Sequence, residues 1–464
     1  MNNSLTWFFS GIGVLGLSYI LTLNVKHSKS SPIRVIGWSW ALMFFLSATQ
    51  IIQFPEPSVK ALLYLLSFPC LIMVGAAVPS WVKRETNSRM ASPGHLRNPA
   101  ATSRNFQIFF LFGMVGLATE LLSRFQFSSV GGTISDLRNV VFALEYQGRM
   151  NWLSRTALLT FSFTWIAFVI SLLFGERLNA FQRRLGYIFA FGLILYGVTT
   201  LGRTVMLRET LILFCCTLVR RDLGRAYFPW RWTTFRAWLV VILVVLGGIY
   251  SLAIWGFRSG GADRVSETPE TFFSNTQSSL LLKKIRELVP QYFAGTVNLV
   301  PIYTATLADN FCSFYDGPDI DPLYGMWQLW GLSTALNRRG VPVAPAVELY
   351  EYVETTDSLA GITAAQWRTM AQEFIIDFGK VGALIMAVVT GLFFGWVHKQ
   401  FAARGEHWGV VLIIVDYWAI YSAGTSPFNI EQLVLLACGL CFTFYIRAAS
   451  PARPKVFPRV KQSV

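Results

Sequence analysis

Charge is scarce in this 464-residue chain: only 14% of its residues are Asp, Glu, Lys or Arg, against about 25% in ordinary soluble proteins. That shortage leaves too few groups to cover a water-facing surface, and it excludes a soluble enzyme. Disorder is excluded too, because it requires low hydrophobicity and 53% of this chain is hydrophobic. Six cysteines are too few for a disulfide-stapled secreted scaffold. Histidine occurs only as His27, His95, His398 and His407, and there is no Walker A loop, dinucleotide fingerprint or zinc spacing. The acidic sign is the scarcer one, 25 residues against 39 Lys+Arg. The resulting +14, combined with 16 Trp, 38 Phe and long uncharged runs, is not the make-up of a nucleic-acid binder.

What the chain has is apolar length. A helix needs about 20 mainly apolar residues to cross a bilayer core, and eleven runs approach that: 4–23, 35–54, 60–82, 106–122, 152–174, 185–201, 204–219, 237–256, 372–397, 408–424 and 430–446. The first has no basic leader and no small-residue cleavage site, so it is expected as a retained span. The sixth and seventh form a hairpin turning at Gly202 and Arg203. The expected fold is therefore all-α, a polytopic membrane protein of about 11 transmembrane helices. Its parts are spans 1–8 over 1–256, a large loop over 257–371, spans 9–11 over 372–446, and a tail over 447–464.

Charge sorts the connections into two sets. Segments 24–34, 83–105, 175–184, 220–236, 398–407 and the tail carry 23 Lys+Arg and 4 Asp+Glu, leaving 16 and 21 of the totals to the rest of the chain. Short Lys/Arg-rich loops stay cytoplasmic, so this set and the C-terminus are expected inside. The loop 257–371 is then expected outside, partly helical, with 283–308 as an interfacial or re-entrant stretch. All four histidines fall in the inner set, so outer-face chemistry must use Asp, Glu or Tyr as its base. Cys312 alone of the cysteines is expected outside, and Cys438-x-x-Cys441 reads as helix packing.

Ionisable residues at span ends are candidate functional groups, because burying them is costly. Arg203, with Arg208 five residues deeper, forms a candidate diphosphate clamp, since a guanidinium fork grips phosphate oxygens bidentately. The alternative is that Arg203 snorkels to the headgroups and Arg208 pairs with Glu209 or another carboxylate. Arg258 and Arg264 flank Gly260 and Gly261 beyond the eighth run and add two guanidiniums, unless they are ordinary membrane anchors. Asp377 opens the ninth run, where it either positions a substrate or neutralises Lys380. Asp316, Asp319 and Asp321 suit a divalent ion, but beside Gly317 and Pro318 they read better as an acidic turn.

Three stretches resemble the Wzy-type polymerases, the oligosaccharide repeat unit polymerases of bacterial O-antigen and exopolysaccharide. Thr200-Leu201-Gly202-Arg203-Thr204 is similar to the family's small-Gly-Arg-small segment. Gln291-Tyr292-Phe293-Ala294-Gly295-Thr296 is similar to its Tyr-x-x-Gly-Gly segment, with Thr296 in place of the second Gly. Thr369 through Asp377-Phe378-Gly379-Lys380-Val381-Gly382 resembles its Thr…Asp-Phe-Gly-x-x-Gly signature, with Gln366 where Asn is usual. The resemblance covers about 185–445.

It implies a metal-independent, cofactor-free glycosyltransferase of the bacterial inner membrane, with its active site facing the periplasm. Such an enzyme moves a growing glycan from undecaprenyl diphosphate to the non-reducing end of a new lipid-linked repeat unit. Its partners would be that substrate, the bilayer and a polysaccharide chain-length regulator, with no nucleic acid. On this reading Arg203 and Asp377 are the catalytic candidates. Arg208, Arg258, Arg264, Tyr292 and Thr369 bind diphosphate or glycan, and there is no metal ligand. Glu348, Glu351 and Asp309 remain alternative proton acceptors, and Trp327, Trp330 and Tyr350 are candidate sugar-stacking rings. The competing readings are a ligase that transfers glycan to lipid A-core, which is expected to use an outer His that this chain lacks, and a lipid-linked oligosaccharide flippase.

Overall fold

The computed structural model describes residues 3–23, 25, 28–81, 99–128, 152–199, 203–227, 276–289, 297, 305–337, 339–362, 368–424 and 428–449. Among the described residues the chain is helical, with a single two-stranded ladder. Its helices are α1 Asn3–Thr22, α2 Pro32–Ala48, α3 Val59–Trp81, α4 Pro99–Ser128, α5 Trp152–Leu173, α6 Ala180–Thr199, α7 Arg203–Asp222, α8 Leu280–Leu288, α9 Leu307–Asp316, α10 Trp330–Asn337, α11 Ala346–Leu359, α12 Met370–Arg404, α13 Gly409–Tyr421 and α14 Ile430–Ala449. Ten of the eleven apolar runs coincide with helices; the run 237–256 lies outside the described residues. Among the described residues, four segments are long and apolar enough to cross a membrane: α1, α3, Phe106–Ser123 of α4, and α12.

Small residues set the closest helix pair. Gly391 and Gly395, one turn apart on α12, face α3 around Ile72 and Ala76, while Gly75 of α3 faces the Val388 carbonyl. A methyl group at Gly391 or Gly395 would overlap the carbonyl oxygens of Ile72 and Ala76. Between apolar helices in lipid there is no hydrophobic drive, so such close backbone approach supplies the packing.

At the centre stands α13, whose residues Gly409 through Ala419 are all buried. A helix apolar all round belongs in the interior, and α13 contacts α2, α5, α7, α12 and α14. Its one charged residue, Asp416, is fully buried, and neither carboxyl oxygen has a hydrogen-bond partner among the described residues.

Polar ties mark the two ends of the bundle. At one, Asp222 accepts from the Ser30 N–H and hydroxyl, both at 2.7 Å. Arg220 there donates to the carbonyls of Leu172, Leu173 and Ala226 and pairs with Glu176. Glu406 pairs with both Arg177 and Arg225. Four of the six segments in the basic set thus meet at one end.

At the other end, the described residues around 277–278 and 307–316 are seated on the first helices. β1 (Ile52–Gln53) pairs antiparallel with β2 (Gln277–Ser278). Trp7 donates to Asp309 Oδ1 at 2.9 Å, and Asp316 accepts from the Ser58 hydroxyl at 2.6 Å. α9 lies against α2, α3 and α12.

Candidate functional site

The segment-bearing end gathers the start of α12, the end of α13 and the start of α14. The Met370 N–H donates to the Ser422 carbonyl at 3.0 Å, and Trp418 Nε1 donates to Gln432 Oε1 at 3.2 Å. Phe428 packs on both Phe374 and Trp418, with centroids 5.7 and 5.6 Å away.

Arg208, on the second turn of α7, is 7% exposed. Its partner is Glu431 of α14, not Glu209: both terminal nitrogens donate to the Glu431 carboxylate, and Nε donates to the Tyr417 hydroxyl at 3.2 Å. The guanidinium also lies against the rings of Trp165 (5.3 Å) and Tyr417 (5.9 Å). Tyr421 is within electrostatic reach of Arg208, Glu431 and Glu373. The two rings, the Tyr417 hydroxyl and the Glu431 carboxylate together hold a fixed cation at this end.

Asp377 is fully buried and does not neutralise Lys380. Its Oδ1 accepts from the Trp327 N–H at 2.9 Å and its Oδ2 from the Gln328 N–H at 3.1 Å. Lys380 instead donates to Asp319 at 2.8 Å, and this hydrogen bond holds the exposed Asp319 carboxyl below the usual carboxylate range. Two residues after Asp377, Gly379 adopts φ 70° and ψ 173°, a conformation essentially reserved for glycine, and kinks α12. The Asp-Phe-Gly stretch therefore clamps the 323–328 turn and then redirects the helix. Asp377 thus ties the start of α12 to the backbone of Trp327 and Gln328.

Thr369 is the N-cap of α12, its hydroxyl accepting from the Gln372 N–H at 3.2 Å. Beside it, Arg368 pairs with Asp357 of α11 in a buried ion pair, and its guanidinium covers Trp327 at 5.4 Å. Burial pushes the Asp357 carboxyl above its usual range, against the pull of Arg368. The Trp327 and Tyr350 rings lie 6.4 Å apart. Trp327 is thus held through its backbone by Asp377 and through its ring by Arg368.

Arg203 begins α7, and its side chain is outside the described residues, as are Arg258, Arg264 and Tyr292. Among the alternative proton acceptors, Glu348 and Glu351 are exposed. Asp309 is buried under Trp7, and burial pushes its carboxyl up to about 8. Asp316 and Asp319 each engage a different partner, Ser58 and Lys380. No cluster of three or more His, Cys, Asp or Glu suited to a metal occurs among the described residues.

Sequence reasoning missed Glu431, Tyr417, Arg368 and Asp357. Glu431 carried a signal, being the one acid at the head of the last apolar run, and Arg368 adjoins Thr369. Asp416 carried one too, a lone acid in Gly409–Tyr421. No protein-family model matches the chain, and neither does any curated protein or solved structure.

Proposed function

We propose that this chain is a membrane glycosyltransferase of the Wzy type that polymerises lipid-linked oligosaccharide repeat units. The observation that carries the reading is the buried Arg208 guanidinium, fixed between rings on the same helix that Arg203 begins. In this reading the eleven runs span a bacterial inner membrane, the 257–371 segment lies on the periplasmic side, and the C-terminus is cytoplasmic.

The chemistry follows from the groups. The acceptor hydroxyl attacks the anomeric carbon of the growing glycan, the bond to the undecaprenyl diphosphate oxygen breaks, and the hydroxyl proton passes to the departing diphosphate. Negative charge grows on that diphosphate, and preset cations lower its energy most when they need not reorganise. Arg203 and Arg208 take this role, with Arg258 and Arg264 converging on the same anion. Asp377 acts through Trp327 by holding the ring that meets the acceptor sugar, and Tyr292 and Tyr350 extend the sugar-binding surface. Thr369 fixes the start of α12 beneath it.

The direct test is purified protein in detergent given defined lipid-linked repeat units. A polymerase lengthens them into a ladder, while a flippase needs a sealed membrane and leaves them single. Arg203→Ala should abolish the ladder, and Arg203→Lys should restore little, because an ammonium lacks the fork. A normal ladder from Arg203→Ala, at normal expression, refutes the clamp.

A further inference from the structure

Two features separate the Arg208–Glu431 pair from the other buried arginine pairs. The first is asymmetry: the Arg208 side chain is 9% exposed and Glu431 39%, whereas in Arg368–Asp357 both partners are buried, at 9% and 5%. The second is dependence. Arg220 also has an exposed partner, Glu176, but three backbone carbonyls satisfy its guanidinium as well. Among the described residues, the hydrogen bonds of Arg208 go to Glu431 and the Tyr417 hydroxyl. A buried guanidinium without an anion is strongly unfavourable, so this cation needs a counter-ion at all times, and its present one sits at the surface.

Glu431 is moreover not needed where it stands. The first turn of α14 is capped by Asn429, whose Oδ1 accepts from the Gln432 N–H at 3.0 Å. Its carboxylate therefore serves Arg208 and no local turn. The rings of Trp165 and Tyr417 would keep the guanidinium in place if the carboxylate swung out.

We infer that Glu431 is the resident counter-ion of an anion site on Arg208, and that a diphosphate replaces it there when substrate binds. The inference rests on the diphosphate reading of the site and adds the device that keeps it charged and ordered when empty. Phosphate oxygens present the same bidentate acceptor edge as a carboxylate, with more charge. The exchange leaves the guanidinium still and moves only the exposed partner.

The experiment is equilibrium binding of inorganic pyrophosphate and of farnesyl diphosphate to the detergent-purified protein and to Glu431→Gln, Glu431→Asp and Arg208→Gln. Removing a competing carboxylate should tighten binding of both probes to Glu431→Gln by roughly tenfold or more, the scale of a close charge pair. Glu431→Asp, one methylene shorter, should tighten it less. Because Glu431→Gln leaves a buried cation uncompensated, unfolding temperature is measured alongside, and pyrophosphate should raise it further in this variant than in the parent. Arg208→Gln should lose binding. If Arg208→Gln loses binding while neither Glu431 variant gains affinity, the counter-ion role is wrong and the diphosphate clamp stands. If Arg208→Gln binds as the parent does, the diphosphate reading of Arg208 falls as well. Tightening with farnesyl diphosphate alone also overturns the exchange, because the shared group is then not what competes.

Discussion

Replacing Asp377 with Asn tests whether this residue holds a loop or handles a proton. The carboxylate spends both oxygens on backbone N–H groups, 2.9 Å to Trp327 and 3.1 Å to Gln328, in a fully buried setting. Asparagine keeps one acceptor and turns the other into a donor facing a donor. A hydrogen bond to a charged group is worth about 1.5–3 kcal/mol, and an orphaned buried donor costs about 1–3 kcal/mol. A combined loss of about 2.5–6 kcal/mol corresponds to a local opening roughly 60 to 20,000 times more frequent. The loss falls on 323–328, which α12 otherwise holds through Leu323 N–H to Ile376 at 3.0 Å and Tyr324 N–H to Asp377 at 2.6 Å. Hydrogen exchange by mass spectrometry should show faster exchange of a peptide covering 323–330, with the α3–α12 seam unchanged. For a polymerase, KM for the acceptor should rise while the pH–rate profile keeps its shape. Unchanged exchange at Trp327 and Gln328, or loss of one limb of the pH profile, would refute the positioning role.

Four further outcomes follow from the packing. Gly395→Leu pushes a side chain into the Ala76 carbonyl and should lower the thermal unfolding temperature in detergent, while Gly13→Leu, which meets open space, should not; equal effects would sink the seam. Arg368→Ala strands the buried Asp357 carboxyl and should cost about 3–5 kcal/mol, whereas Arg368→Met combined with Asp357→Leu should cost less than the two single changes together, as a double-mutant cycle reads. Asp416→Leu removes an unpartnered buried carboxyl and should raise the unfolding temperature, since apolar replacements of buried ionic groups are often neutral or stabilising; a clear drop would mean the carboxyl has a partner. Asp309 holds a proton up to about pH 8 when folded and only to about 3.8 when unfolded, so it erodes stability as pH rises through that window; Asp309→Asn should therefore stabilise more at pH 8 than at pH 4, and equal gains would refute the assignment.

The helices were largely legible because an apolar run of about 20 residues is a local signal. The sequence expectation and the helices differ where polar residues adjoin a run. α4 extends to Pro99 and Ser128, well beyond 106–122, because Ser, Thr and Asn tolerate helix next to an apolar stretch. α2 stops at Ala48, before Gln50 takes φ 47° and the chain turns toward β1. The kink at Gly379 was invisible in hydropathy, since Phe378, Val381 and Leu384 keep the run apolar across it. The seating of α9 on α1 and the start of α3 was illegible for a different reason. It depends on Trp7 meeting Asp309 and Ser58 meeting Asp316, pairs separated by 302 and 258 residues.

The same distance rule governs the site. Arg208 was legible as a charge in a costly place, and so was Asp377, but a charge's role is fixed by its partner. The partner of Arg208 stands 223 residues away on another helix, and that of Asp377 is backbone, which composition cannot mark. Knowing the partners reverses the expected ranking. Each oxygen of Asp377 accepts a backbone N–H of the 323–328 turn, and on the proposed reading it shapes the site by holding that turn. Arg208 holds a partly exposed carboxylate, and on the proposed exchange an incoming anion replaces it, so the residue with the better-formed ion pair is the one offered to substrate. An ion pair at a site is therefore judged by which member solvent reaches and by what else satisfies the buried one, and on both counts Arg208–Glu431 is built for exchange while Arg368–Asp357 and Arg220–Glu176 are built to hold.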